Sequence, residues 1–191
     1  MAEELSYILV TPYTLAKSRT GGVLSRLLSR VDLELIAAQI IAPDQELVNA
    51  YAESMIAFNN PDKPNSGKIL KDYVLKNFSP TDGRPHRTAL FLFRGENACQ
   101  KLRDVNGALL PENISLESLT GETIRDTYAD LIMNPDGSVA YIEPAVLTPK
   151  TQEIALNNLR LFAEFVKNRP NIIDNVVHPD PKKIERTLVI I

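Results

Sequence analysis

Apolar runs interrupted by proline, glycine and polar clusters divide the chain into predicted strands and helices. Short, β-rich apolar runs predict buried strands at residues 5–10 and 88–93, and the alanine-containing run 33–42 predicts a third. Apolar residues at helical spacing predict helices over 23–31, 45–58, 68–78, 95–105 and Gln152–Lys167. Residues 171–178 (NIIDNVVH) predict a last short strand that ends at a histidine.

The order of these elements indicates the fold class. Two βαβ passages follow one another, which predicts an α/β (α+β) ferredoxin-like βαββαβ sandwich with helices on one face of the sheet. The long connection before the last strand, residues 132–170, contains the helix Gln152–Lys167 and is predicted as a helical insertion.

Composition excludes several classes of protein. The chain has 191 residues, 44% hydrophobic and 24% charged, as in an ordinary soluble protein. No apolar run approaches the roughly 20 residues that span a bilayer, and the acidic N-terminus is unlike a secretion signal, so we expect a cytoplasmic protein without a membrane partner. A net charge of -3 argues against nucleic-acid binding, whereas phosphate binding depends on local donors and stays open.

Cysteine and histidine are scarce. The single cysteine, Cys99, excludes a disulfide within the chain and is predicted to be a buried residue of the 95–105 helix. The chain has two histidines, of which His86 lies in a turn before a strand and is predicted to be a solvated loop residue. We therefore predict no dedicated metal site.

Three segments carry motifs associated with phosphate chemistry. They are RGENACQKLRDVNG at 94–107, ETIRD at 122–126 and NVVH at 175–178, and Arg19 with Gly22 precedes them. In this order they resemble the motifs of the nucleoside diphosphate kinase family along nearly the whole chain. The resemblance implies the same ferredoxin-like sandwich, with an antiparallel sheet.

The resemblance also implies a reaction. Members of the family move the terminal phosphate of a nucleoside triphosphate to a nucleoside diphosphate through a phosphohistidine, with Mg²⁺ bound together with the nucleotide. A neutral imidazole is a competent nucleophile, and forming a phosphoenzyme divides the transfer into two steps. Phosphoryl transfer depends on positioning and charge stabilisation, which favours arginines along its path.

Carried over to this chain, the motifs assign five residues. The resemblance makes His178 the nucleophile and Asn175 a contact to ribose or phosphate. Arg103 and Arg125 would clamp phosphate oxygens, and Tyr51 would lie close to the histidine. The structural alternatives are a hydrogen-bonded strand-end histidine, two surface arginines paired with neighbouring aspartates, and a half-buried helix tyrosine.

The chain departs from the family pattern at its chemical positions. Thr11 stands where the first strand of the family leads into a lysine, and Leu109 stands where the family has a phosphate-binding threonine. His178 is followed by a proline, so Asp180 or Glu185 would have to orient its ring. Two functions stay open: an active kinase, or a degenerate kinase-like domain that binds nucleotide or acts as a structural or regulatory module.

The last residues suggest how the chain is organised. Residues 185–191 (ERTLVII) resemble the opening of a typical family member. We therefore expect a kinase-like domain over 1–181, and a linker or the start of a second domain over 182–191. The expected partners are nucleoside di- and triphosphates, together with a second kinase domain or further copies in a homo-oligomer.

Overall fold

The structure is a computed structural model that describes residues 3–58, 65–109 and 121–167. Its strands are β1 (Glu3–Val10), β2 (Glu34–Ile41), β3 (Thr88–Glu96), β4 (Asp130–Met133), β5 (Val139–Glu143) and β6 (Val146–Leu147). Its α-helices are α1 (Pro12–Ala16), α2 (Thr20–Arg30), α3 (Gln45–Ser54), α4 (Ser66–Phe78), α5 (Ala98–Asn106), α6 (Ile124–Tyr128) and α7 (Gln152–Lys167). A 3₁₀ turn, Met55–Phe58, follows α3.

Four strands form the main sheet, in the order β2-β3-β1-β6, and β4 and β5 form a separate hairpin. Every neighbouring pair in the main sheet is antiparallel. The central pair runs from Glu3 opposite Glu96 to Val10 opposite Ala89. The predicted mixed α/β class with an antiparallel sheet is therefore confirmed.

Helices cover both faces of this sheet, and the prediction that they lie on one face was wrong. Because side chains alternate along a strand, Tyr7 and Leu9 of β1 face one core and Ile8 and Val10 face the other. The first core is closed by α3, α4 and α7. The second is closed by α2, α5 and α6. The helices between β2 and β3, with α7, cover the face that two βαβ passages alone leave open.

The helix α7 is part of the body of the fold. The ring of Phe162 packs edge-on against that of Tyr7, with centroids 5.6 Å apart. Asn158 donates a hydrogen bond from Nδ2 to the Tyr7 hydroxyl, 2.9 Å away. The segment 132–170, predicted as an insertion, thus supplies the strands β5 and β6 and the core helix α7.

The long helices with a strong hydrophobic pattern lie where the sequence predicts them. α7 has its predicted bounds, and Asp44 caps α3, as its side chain accepts the backbone N–H of Leu47 at 2.9 Å. The sequence pattern missed α1 and the short strands β4, β5 and β6. The predicted strand over 171–178 lies outside the described residues.

Among the described residues, no helix combines the length and the apolar composition needed to span a bilayer.

Candidate phosphate-binding site

Thr11 follows the C-terminal end of β1 and precedes α1. Thr11 is fully buried and caps α1, because its Oγ1 accepts the backbone N–H of Thr14 at 3.2 Å. Its hydroxyl donates to Oε1 of Glu143 at 2.7 Å. Where the family resemblance expects a lysine, the chain therefore has a neutral hydroxyl that is already engaged inside the protein.

Glu143 is a buried carboxylate at the end of β5, with 2% of its surface exposed. Besides Thr11, the Tyr73 hydroxyl donates to Oε2 at 2.6 Å and the backbone N–H of Ala145 donates to Oε1 at 3.2 Å. Burial raises the pKa of Glu143, and the hydrogen bonds from Tyr73 and Thr11 offset part of that rise. Hydrogen-bond donors thus surround this carboxylate on both oxygens.

The turn after Glu143 leads into β6. Ala145 adopts a left-handed conformation with φ of 61°, and its carbonyl accepts the backbone N–H of Thr11 at 3.1 Å. β6 then pairs with β1, Val146 opposite Val10 and Leu147 opposite Leu9. Since β3 pairs with the other edge of β1, both edges of β1 are occupied at these two residues.

β6, the strand on the side of β1 away from β3, carries no histidine. Both side chains of β6 are apolar and buried, and the polar stretch 148–151 and helix α7 follow directly. His178 and Asn175, which the motif assigns to the last strand of the sheet, lie outside the described residues. What the structure establishes is that Val146 and Leu147 occupy this position.

Arg125 lies at the junction of three elements. The capping box formed by Thr123 and Asp126 fixes the start of its helix, α6. Its Nη1 donates to the Gly107 carbonyl at 2.5 Å and its Nη2 to the Val146 carbonyl at 3.4 Å, whereas its buried Nε makes no hydrogen bond. Burial and the neighbouring charge of Arg103 lower the pKa of Arg125 to about 10.

Arg103 is the exposed member of this pair. It lies on α5, which contacts α6, and its Nη1 donates to the side chain of Gln100 at 3.5 Å and to the Lys150 carbonyl at 3.4 Å. The contact between α5 and α6 thus brings the charges of Arg103 and Arg125 near enough to interact. Guanidinium groups with further N–H donors can bind an anion such as phosphate.

Tyr51 and Leu109 lie elsewhere in the fold. Tyr51 is in the core, where its hydroxyl accepts a hydrogen bond from Tyr7 at 3.4 Å and its ring packs 5.2 Å from that of Phe162. Leu109 packs against the same core. Neither residue joins the arginine pair.

Sequence reasoning missed Glu143 and its donors. Thr11 and Glu143 are separated by 132 residues, so no local pattern connects them. The available signal was an acid before a proline in the otherwise apolar run YIEPAVL, since an acid there must find partners or stay exposed. The described residues contain no group of three or more metal-binding side chains of His, Cys, Asp or Glu.

Comparison with solved structures identifies the fold. The chain is similar to a nucleoside diphosphate kinase from Pyrobaculum aerophilum, with a TM-score of 0.59 and 17% identity over 84% of this chain and 96% of that one. It is also similar to the Aquifex aeolicus kinase (TM-score 0.55, 15% identity, 84% and 95%) and to a family protein from Babesia bovis (0.54, 23%, 83% and 87%). No protein-family model and no curated protein matches the chain. The chain thus has the fold of the nucleoside diphosphate kinases, which confirms the predicted resemblance at the level of fold.

The buried carboxylate makes stability depend on pH. Because the folded pKa of Glu143 lies above the ordinary value of 4.5, the folded state holds this proton more tightly than the unfolded state. The stabilisation is fully present below pH 4.5 and is lost as the pH rises through the folded pKa. Urea unfolding should show the stability of the wild type falling relative to Glu143→Gln over this range. A constant difference between the two proteins would contradict the assignment.

Proposed function

We propose that this chain is a nucleotide-binding domain with the nucleoside diphosphate kinase fold, which holds the phosphates of a nucleoside di- or triphosphate at Arg103 and Arg125. The observation that carries the proposal is the contact between helices α5 and α6, which brings the exposed Arg103 close enough to Arg125 for the two charges to interact.

The electrostatics of the pair favour an anion. Burial and a like charge both disfavour the protonated form of Arg125, so a bound phosphate relieves a cost that the free protein carries. Arginine also offers paired N–H groups that match phosphate oxygens. Mg²⁺ binds together with the nucleotide, held by the phosphate oxygens rather than by a cage of side chains.

Binding without phosphoryl transfer agrees best with the rest of the site. The kinase reaction, as the family resemblance implies it, uses a cation after the first strand and a histidine on the last. Here Thr11 donates to Glu143, and the apolar residues Val146 and Leu147 lie beside β1. These observations support the degenerate, nucleotide-binding alternative over the active kinase.

Phosphoryl transfer through His178 is the second candidate, and the motif Asn175-Val176-Val177-His178 favours it. A ring nitrogen of His178 would attack the terminal phosphorus of a nucleoside triphosphate. The bond to the bridging oxygen would break, and the nucleoside diphosphate would leave with that electron pair. A second nucleoside diphosphate would then take the phosphoryl group from the histidine.

Removal of the exposed arginine tests nucleotide binding. Arg103→Ala should weaken the binding of ADP, measured by calorimetry with Mg²⁺, about tenfold, because a charge-assisted hydrogen bond to phosphate is lost. Arg160→Ala is the matched control, since Arg160 is also exposed and lies on α7, where it donates to the side chain of Asn157. Equal losses in both variants would show that the effect is general charge, and no loss in Arg103→Ala would contradict the proposal.

Labelling distinguishes the two candidate functions. Incubation of the chain with Mg²⁺ and ATP labelled on the γ-phosphate should leave no alkali-stable label on the protein if the domain only binds nucleotide. Stable label that disappears in His178→Ala would instead establish the kinase.

A second copy of the chain is the partner that fits the outer edge of β2, which pairs with none of the described strands. From Glu34 to Ile40 every residue of this edge strand is exposed, and Leu35, Ile36 and Ile40 are 37%, 38% and 41% exposed. An unprotected apolar edge is a template for pairing. Two copies could pair antiparallel about a two-fold axis between Ala37 and Ala38. Leu35 of one copy would then lie opposite Ile40 of the other, and no two like charges would face each other.

Light scattering after gel filtration tests this interface. We expect the wild type to be a dimer and Ile40→Lys to be a monomer, because the lysine places charges inside the paired edges. Ile132→Lys is the control: Ile132 is 59% exposed on the separate β4–β5 hairpin, and its substitution should leave the dimer intact. A monomeric wild type would contradict the proposal.

A further inference from the structure

We infer that Glu143 is a positioning residue for the phosphate site, acting through the β5–β6 turn on the guanidinium of Arg125. The inference rests on the proposed function and adds a residue that does not itself touch the nucleotide.

The first step concerns the turn. Ala145 has a φ of 61°, a left-handed conformation that is strained for a residue with a Cβ. Its N–H donates to Glu143 Oε1, and the hydroxyl of Thr11 donates to the same oxygen. One carboxylate oxygen thus holds the strained turn and ties it to the end of β1.

The strand after the turn needs this support. β6 has two residues, and its pairing with β1 covers only Val146 and Leu147. So short a strand has few ladder hydrogen bonds of its own. Its position therefore depends on the turn that precedes it, and hence on Glu143, together with the hydrogen bond that the Thr148 hydroxyl donates to the Tyr7 carbonyl after β6.

The second step leads from β6 to the arginine. Arg125 has two backbone acceptors, the carbonyl of Gly107 and the carbonyl of Val146. Val146 follows Ala145 directly, so a shift of the turn moves one of the two acceptors that orient the guanidinium. The orientation of the N–H groups left for phosphate then changes as well.

The free-energy cost of burying the Glu143 carboxylate argues that this residue does more than fill the core. A buried carboxylate is costly even when it is fully hydrogen-bonded, and an apolar residue of the same size is often more stable. The donors come from three places in the fold: the β1–α1 junction, α4 and the turn itself. If Glu143 acted on stability alone, its replacement would change the melting temperature and leave the affinity of the folded protein for ADP unchanged.

Binding of ADP by three variants separates the two roles. Each variant is measured by calorimetry with Mg²⁺ well below its melting temperature, with circular dichroism as the test of folding. Glu143→Leu removes the acceptor at similar size and should weaken binding about tenfold, the equivalent of one misplaced charge-assisted hydrogen bond. Glu143→Gln keeps an acceptor for Thr11 and Ala145 and should retain most of the affinity. Adding Ala145→Gly to Glu143→Leu should restore most of the loss, because glycine adopts the left-handed turn without strain.

Each outcome decides for or against the inference. Wild-type affinity in folded Glu143→Leu would overturn it, as would a double variant no better than Glu143→Leu alone. If Glu143→Leu does not fold, Thr11→Val is measured instead. It removes the hydroxyl that donates to Glu143 Oε1 and should weaken ADP binding about threefold. Unchanged binding by Thr11→Val would overturn the inference. Absence of ADP binding by the wild type, or equal binding by Arg103→Ala, would instead refute the proposed function.

Discussion

The hydrogen bonds that converge on the Glu143 carboxylate are the constraint on which the candidate site depends. Thr11 supplies one donor from the end of β1, Tyr73 another from α4, and Ala145 a third from the turn into β6. In a low-dielectric interior such a carboxylate is stable only while its donors stay in place. The position of β6 beside β1, and through Val146 the orientation of Arg125, follow from that requirement.

At the end of its first strand, this chain has contacts that differ from those implied by the family resemblance. A fold does not fix a function, because the function lies in side chains placed on it. In this chain the arginine pair is retained, whereas Thr11 is a neutral partner of Glu143 and the strand next to β1 is apolar. The binding of phosphate that we propose needs only the arginines, and it requires neither a lysine after β1 nor a histidine on β6.

The sequence was sufficient where an element is long and its pattern strong, as for β1 and the helix Gln152–Lys167. The roles that the motifs assign to Arg103 and Arg125 stay predictions. The sequence was insufficient for β6, since two residues carry no periodicity and their strand position is set by pairing with β1. The helices α3, α4 and α7 were predicted, but their place on the second face of the sheet was not. Helix periodicity does not say which face of a sheet a helix covers. Glu143 was missed because its partners are distant in sequence.

A crystal structure of the chain with Mg²⁺ and ADP tests the central claim most directly, since it locates the phosphates and the last strand together. We predict that the diphosphate contacts Arg103 and Arg125 while Val146 and Leu147 stay paired with β1. A structure with residues 171–178 beside β1 and His178 facing the phosphates, or with ADP bound away from the arginine pair, would contradict the account.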